Sequence, residues 1–243
     1  MTRHTTSLLR LGVALVAVPA ILAACTGGGG GAASALPTIP PATEAPSVDP
    51  SASAAHPGPT FPADCPREQP EALGADEVRE VTLKTDKGDI VIEVQGALSP
   101  IATGNFVTLA DCGYYDGVVF HRVVPGFVIQ GGDGQFGREP LVIPELVGTG
   151  GPPYTIQDEP VTAKYGRGTV AMARTAEPNS VGSQFFIVLD DAARAPLESY
   201  NTYQIIGTVK SGMEAVDAIA AAAGDKELPD EPVSMDEVTV TTP

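Results

Sequence analysis

Two stretches of this sequence hold most of the residues that could do chemistry. The first reads Phe120-His121-Arg122-Val123-Val124-Pro125-Gly126-Phe127-Val128-Ile129-Gln130-Gly131-Gly132-Asp133. The second joins Gly168-Thr169-Val170-Ala171-Met172-Ala173-Arg174 to Gly182-Ser183-Gln184-Phe185-Phe186-Ile187. Arg122 offers a guanidinium that is always charged and carries several donors in a rigid plane. Gln130 and Gln184 can both donate and accept. Phe127 and Phe186 can wall an apolar slot, with Val128 as an aliphatic edge. Such a set suits gripping an apolar ring beside a fixed hydrogen-bond donor. Taken singly, an Arg in a strand is most often a surface charge, and a Phe is most often core.

Hydrolytic and metal chemistry find little support. His121 is the one His after residue 75, and no Gly-x-Ser-x-Gly elbow surrounds any Ser. In a strand its side chain faces away from that of Arg122, so a structural role is expected for it. Cys25, Cys65 and Cys112 form no CxxC pair. His4, His56 and His121 fall in three regions of the chain, so no metal site is expected. Asp+Glu outnumber Lys+Arg by 30 to 14, for a net charge of −16. A surface this acidic repels phosphate backbones, so nucleic acid is not an expected partner. Its plain use is solubility.

The elements that must position these residues are short strands. Val81 and Leu83 alternate with polar residues, Asp86-Lys87-Gly88 signals a turn, and Ile90, Ile92 and Val94 alternate again. This is a β-hairpin pattern. Ser99-Pro100 starts a helix, with Ser as N-cap and Pro in the first turn. Ala102, Phe106, Leu109 and Ala110 give that helix one apolar face, and Gly113 ends it. Strand-like runs follow at Val118–Val124, Phe127–Gln130, Gly168–Ala173, Phe185–Leu189, Tyr203–Val209 and Ser234–Thr241, with a second helix over Met213–Ala222. Many short strands with two helices predict a β-barrel or a sandwich.

In unbroken order from about Val78 to Val240, the two blocks resemble the signature of the cyclophilin family. Asn105-Phe106, Tyr115-Asp116-Gly117 and Gly148-Thr149-Gly150-Gly151 add smaller matches. The resemblance implies a mainly β fold: a closed eight-stranded antiparallel barrel capped by two α-helices. It implies an activity, peptidyl-prolyl cis/trans isomerisation of proline-containing polypeptides, with no cofactor. By motif, Arg122 is implied as catalytic, and Phe127, Val128, Gln130, Ala173, Gln184 and Phe186 as lining the proline pocket and its neighbouring groove. A non-catalytic module holding Pro-containing segments in the same groove is the second reading. The presence of Arg122 favours the first, because binding alone needs no donor at the prolyl nitrogen.

The match departs from the family in places. Many members carry a Trp and then a His after the second block, and this chain has no Trp. Asp190–Asn201 reads as a divergent loop. Leu197 lies near the Trp position as a pocket edge, and Tyr203 takes the place of the His. Arg174 replaces a common Asn in the groove. The stretch from Phe136 to Leu146 reads as a loop insertion.

The N-terminus reads as an address. Arg3, His4 and Arg10 precede an apolar run, Leu11–Ala24, that is shorter than the roughly 20 residues needed to span a bilayer. It ends in Leu22-Ala23-Ala24-Cys25, which resembles the lipobox of bacterial lipoproteins. The expectation is a signal peptide over 1–24, a lipidated Cys25, and an extracytoplasmic protein anchored to the bacterial cell membrane. Residues 26–75 hold ten of the 23 prolines, five consecutive glycines and one aromatic, Phe61. Residues 25–75 are therefore expected as a disordered tether, and 76–243 as one folded, monomeric domain. Cys65 and Cys112 are expected to pair, since thiols outside the cytoplasm tend to do so.

Overall fold

The computed structural model describes residues 61–243. The expected leader, the expected lipidation site Cys25 and the expected tether as far as residue 60 lie outside the described residues. The chain opens with the expected hairpin, β1 (Val78–Thr85) and β2 (Gly88–Gln95), in register from Val78–Gln95 to Thr85–Gly88. Thr85 closes its turn: the hydroxyl accepts from the Lys87 N–H and donates to the Gly88 carbonyl. Helix α1 (Pro100–Asp111) follows, then β3 (Val118–Val119), β4 (Arg122–Val124) and β5 (Val128–Gly131). Next come β6 (Thr169–Met172), β7 (Phe185–Val188), α2 (Arg194–Tyr200), β8 (Ile205–Ser211), α3 (Met213–Ala222), β9 (Ser234–Met235) and β10 (Glu237–Thr241).

Eight strands form one antiparallel sheet in the order β10-β1-β2-β8-β6-β7-β5-β4, and β3 pairs with β9 in a second, two-stranded sheet. The expected closed barrel is corrected here. Among the described residues the two ends of the sheet, β10 and β4, form no ladder with each other. The reason is local. The segment after α3 passes beside β4, and it contains Pro229 and Pro232, which have no N–H to donate. It offers single bonds instead: Val123 N–H to Glu227 O at 2.8 Å and Phe120 N–H to Val233 O at 2.9 Å. The sheet is curled and unclosed; the loop after α3 bonds to the β4 side, and the short β3–β9 ladder adjoins both edge strands in the chain. Among the described residues three α-helices stand where two were expected, because Asp190–Asn201 folds as a 3-10 turn and α2.

Strand alternation divides the apolar side chains into two clusters. One fills the inside of the curl, where Phe106 and Leu109 of α1 meet Ile92, Ile129, Phe185 and Ile206. Phe185 packs edge-on to Phe106 and Tyr115, with centroids 5.2 and 5.7 Å away. The other holds the alternate residues Val124, Val128, Phe186, Val188 and Ile205, covered by Leu197 of α2 and by Tyr165. The expected strand over Val118–Val124 breaks at Phe120-His121, since β3 pairs with β9 and β4 with β5.

Helix α1 is capped differently from the expectation. The buried Ser99 hydroxyl makes no hydrogen bond among the described residues. The Glu159 carboxylate does the capping, accepting from Ile101 N–H and Ala102 N–H at 2.9 Å each. Residues 61–75, expected as the end of the tether, are packed on the domain. Cys65 and Leu73 are buried, and Leu73 N–H donates to Pro100 O. A disulfide joins Cys65 to Cys112 at the end of α1, with Cα atoms 5.2 Å apart. Gly104 on α1 leaves room for this segment: a Cβ there would stand 2.2 Å from the Glu71 carbonyl oxygen.

Candidate active site

Register places the candidate residues in a row. Arg122 on β4 lies opposite Gln130 on β5, Gln130 opposite Phe186 on β7, and Phe186 opposite Ala171 on β6. Facing residues on paired strands point to the same side of a sheet. One guanidinium, one amide and one aromatic ring thus share the face that carries the second cluster. Phe185, Ile129 and Val123 point the other way, into the main core.

The Arg122 side chain is 11% exposed. Its Nε donates to Glu227 Oε1 at 2.6 Å, and Nη1 reaches Gln130 Oε1 at 3.4 Å. Gln130 Nε2 donates to Gln184 Oε1 at 2.9 Å. Gln184 Nε2 in turn donates to the carbonyls of Gly148 and Gly150, at 2.9 Å each. The far end of this relay is Asp133. Its Oδ1 accepts from Gln135 and Phe136 N–H, and its Oδ2 from Gly148 and Gly150 N–H. Glycine is required at 150, where a Cβ would stand 2.5 Å from Asp133 Oδ1. One buried carboxylate therefore fixes the loop that orients both glutamines, and the glutamines address the arginine.

The apolar part of the site is the cluster around Phe127, Phe186 and Tyr203. Tyr203 stacks edge-on against Phe186 with centroids 5.4 Å apart. The Tyr203 carbonyl accepts from the Tyr165 hydroxyl at 2.8 Å. Val128 and Leu197, expected as slot edges, are fully buried. They belong to the same apolar cluster as Phe127, Phe186 and Tyr203. Ala173, Arg174 and Gln184 line a neighbouring cavity of about 280 Å³, together with Gln135, Gly150 and Tyr154. The Arg174 guanidinium is already engaged by Asp158 Oδ1 at 2.9 Å and by the carbonyls of Thr175 and Glu177. It braces the rim of that cavity.

His121 is buried behind the site, against Gly148. Burial is the main cause that pushes it down to about 4; Asp133 pulls it up and Arg122 pushes it further down. Glu227 and the Gly148–Gly150 carbonyls escaped the sequence reading as partners of the site. Glu227 sits among Asp225, Lys226, Asp230 and Glu231, and nothing in that charged run distinguishes it.

The chain matches the family model described as cyclophilin type peptidyl-prolyl cis-trans isomerase over residues 80–240. It is 42% identical over 150 residues to a probable peptidyl-prolyl cis-trans isomerase of Brucella abortus, covering 61% of this chain and 74% of that protein. Peptidyl-prolyl cis-trans isomerase A of Dickeya dadantii is 34% identical over 150 residues, covering 61% and 75%. Among solved structures, a cyclophilin type isomerase of Cryptosporidium parvum superposes with a TM-score of 0.56 at 29% identity, covering 68% of this chain and 99% of that one. That protein has also been solved in the presence of the dipeptide Ala-Pro. A charged donor beside an aromatic slot on a curled β-sheet, matched along most of the folded part, places this chain in the family of cyclophilin-type peptidyl-prolyl cis-trans isomerases.

Proposed function

We propose that Arg122 is the group that accelerates X-Pro rotation in this isomerase. The rotation needs no nucleophile and no proton transfer. Its barrier is about 18–20 kcal/mol and comes from amide resonance. Unaided, rotation takes tens to hundreds of seconds. Millisecond turnover requires roughly 10⁴–10⁵-fold acceleration, or about 5.5–7 kcal/mol of transition-state stabilisation. In the twisted state the prolyl nitrogen regains a lone pair, and a donor aimed at it binds that state better than the planar one. The observation that carries this reading is the row Arg122–Gln130–Phe186 with the Gln184 relay behind it. Two of the five guanidinium donors are engaged by Glu227 and Gln130, which leaves the others for a substrate. The proline ring enters beside Phe127, Phe186 and Tyr203, and the adjoining cavity receives a neighbouring residue of the polypeptide.

The substrates proposed are proline-containing segments of extracytoplasmic proteins during folding. The protein works as a monomer, anchored through lipidated Cys25. The sequence Leu22-Ala23-Ala24-Cys25 supports the anchor, and a Cys65–Cys112 bridge suits an oxidising compartment. Proline isomerisation of a short peptide tests the catalytic role. Arg122→Ala is expected to lower kcat/KM by about 10²–10³, the usual loss on removing one preorganised donor. Equal rates for wild type and variant would sink it and leave a module that only holds proline segments.

A further inference from the structure

Glu227 is joined to β4 at two neighbouring points. Its backbone carbonyl accepts the Val123 N–H at 2.8 Å, and its carboxylate accepts the Arg122 Nε–H at 2.6 Å. The segment that carries it runs beside β4, at the open edge of the sheet. A regular strand at that edge would present its own ladder to β4; the irregular loop presents a side chain. We propose that Glu227 is a positioning residue for Arg122, an inference that rests on the catalytic role assigned to that arginine. The guanidinium is planar, so two fixed contacts set its plane. Glu227 supplies the contact at Nε and Gln130 the one at Nη1. With Nε held from the loop side, the terminal nitrogens are turned toward the slot before any substrate arrives.

The carboxylate has two opposite effects on the reaction. It offsets part of the guanidinium charge, and it fixes the direction in which the donors point. Glu227 is 54% exposed, and water screens the Coulomb part of such a pair. Misplacement of a catalytic donor, by contrast, costs up to about a hundredfold in rate. Orientation therefore sets the sign: loss of the carboxylate slows catalysis. Because the backbone bond from Val123 survives any side-chain change, removal of the carboxylate leaves the segment in place.

The experiment compares full-chain wild type, Glu227→Gln and Glu227→Ala in peptide isomerisation, with the Arg122 Nε–Hε resonance followed by ¹⁵N NMR. Glu227→Ala is expected to lower kcat about tenfold with KM within about twofold, and to lose the protected Nε–Hε signal. Glu227→Gln keeps an acceptor oxygen and is expected to stay within about threefold of wild type with the signal retained. A merely structural role would shift the urea midpoint of both variants and leave this split absent. An active wild type beside an equally active Glu227→Ala overturns the inference alone, as does a Glu227→Gln as slow as Glu227→Ala. An inactive wild type overturns the proposed catalytic role and this inference with it.

Discussion

At the scale of single residues, the site works by a relay of fixed acceptors and donors. Asp133 holds two glycine N–H groups, whose carbonyls hold Gln184, which holds Gln130, which meets Arg122. None of these groups changes charge in the proposed reaction, so activity should follow orientation and not protonation. His121, packed against the same loop, brings a pH dependence of another kind. Folded, its imidazole stays neutral down to about 4; unfolded, it takes a proton near 6.5. Between those values the unfolded state binds more protons, so stability rises with pH there. The contribution is complete above about 6.5 and is lost as the pH falls toward 4. The shift corresponds to roughly 3 kcal/mol. Urea midpoints from pH 7 to pH 4 should fall for wild type and fall less for His121→Gln. Parallel curves would show that His121 is not the source.

At the scale of elements, the segment ahead of β1 behaves as part of the domain. It lies across α1 at Gly104 and is tied to the helix end by the Cys65–Cys112 disulfide, which spans 47 residues of sequence. For a loop of that size, the chain-entropy estimate is on the order of 4 kcal/mol. The Cys65→Ser/Cys112→Ser double variant should show a lower urea midpoint, and wild type in reductant should match it. Isomerase activity per folded molecule should be unchanged, because no group of the site lies on this segment. An unshifted midpoint would mean the packing of Phe61–Leu73 suffices alone. The capping of α1 by Glu159 shows the same economy. The carboxylate also accepts from Gln204 Nε2 at 3.0 Å, so it links the helix start to the turn before β8.

At the scale of the whole molecule, the proposal is a tethered folding helper: a leader, a lipidated Cys25, a Pro- and Gly-rich reach, then the isomerase domain. Two acyl chains hold a protein at a bilayer stably, where one does not. Cys25→Ser is therefore expected to move the protein from the membrane fraction to the soluble one, with peptide isomerisation unchanged. Membrane retention of that variant would point to another anchor. The net charge of −16 adds solubility.

The family, the strands that carry the site and the faces of Arg122, Phe186 and Phe185 were legible in the sequence. They depend on local order and on the two-residue period of a strand, and both are written in the chain. Contacts between residues far apart in sequence were decided only by the tertiary structure. Glu227 meets Arg122 across 105 positions, and Glu159 caps α1 in place of the nearer Ser99. The unclosed sheet, the extra helix α2, the buried positions of Val128 and Leu197 and the folded state of residues 61–75 belong to the same class. A carboxylate has no periodicity to betray its partner. Its role is set by where the backbone brings it, and that is a property of the packed chain.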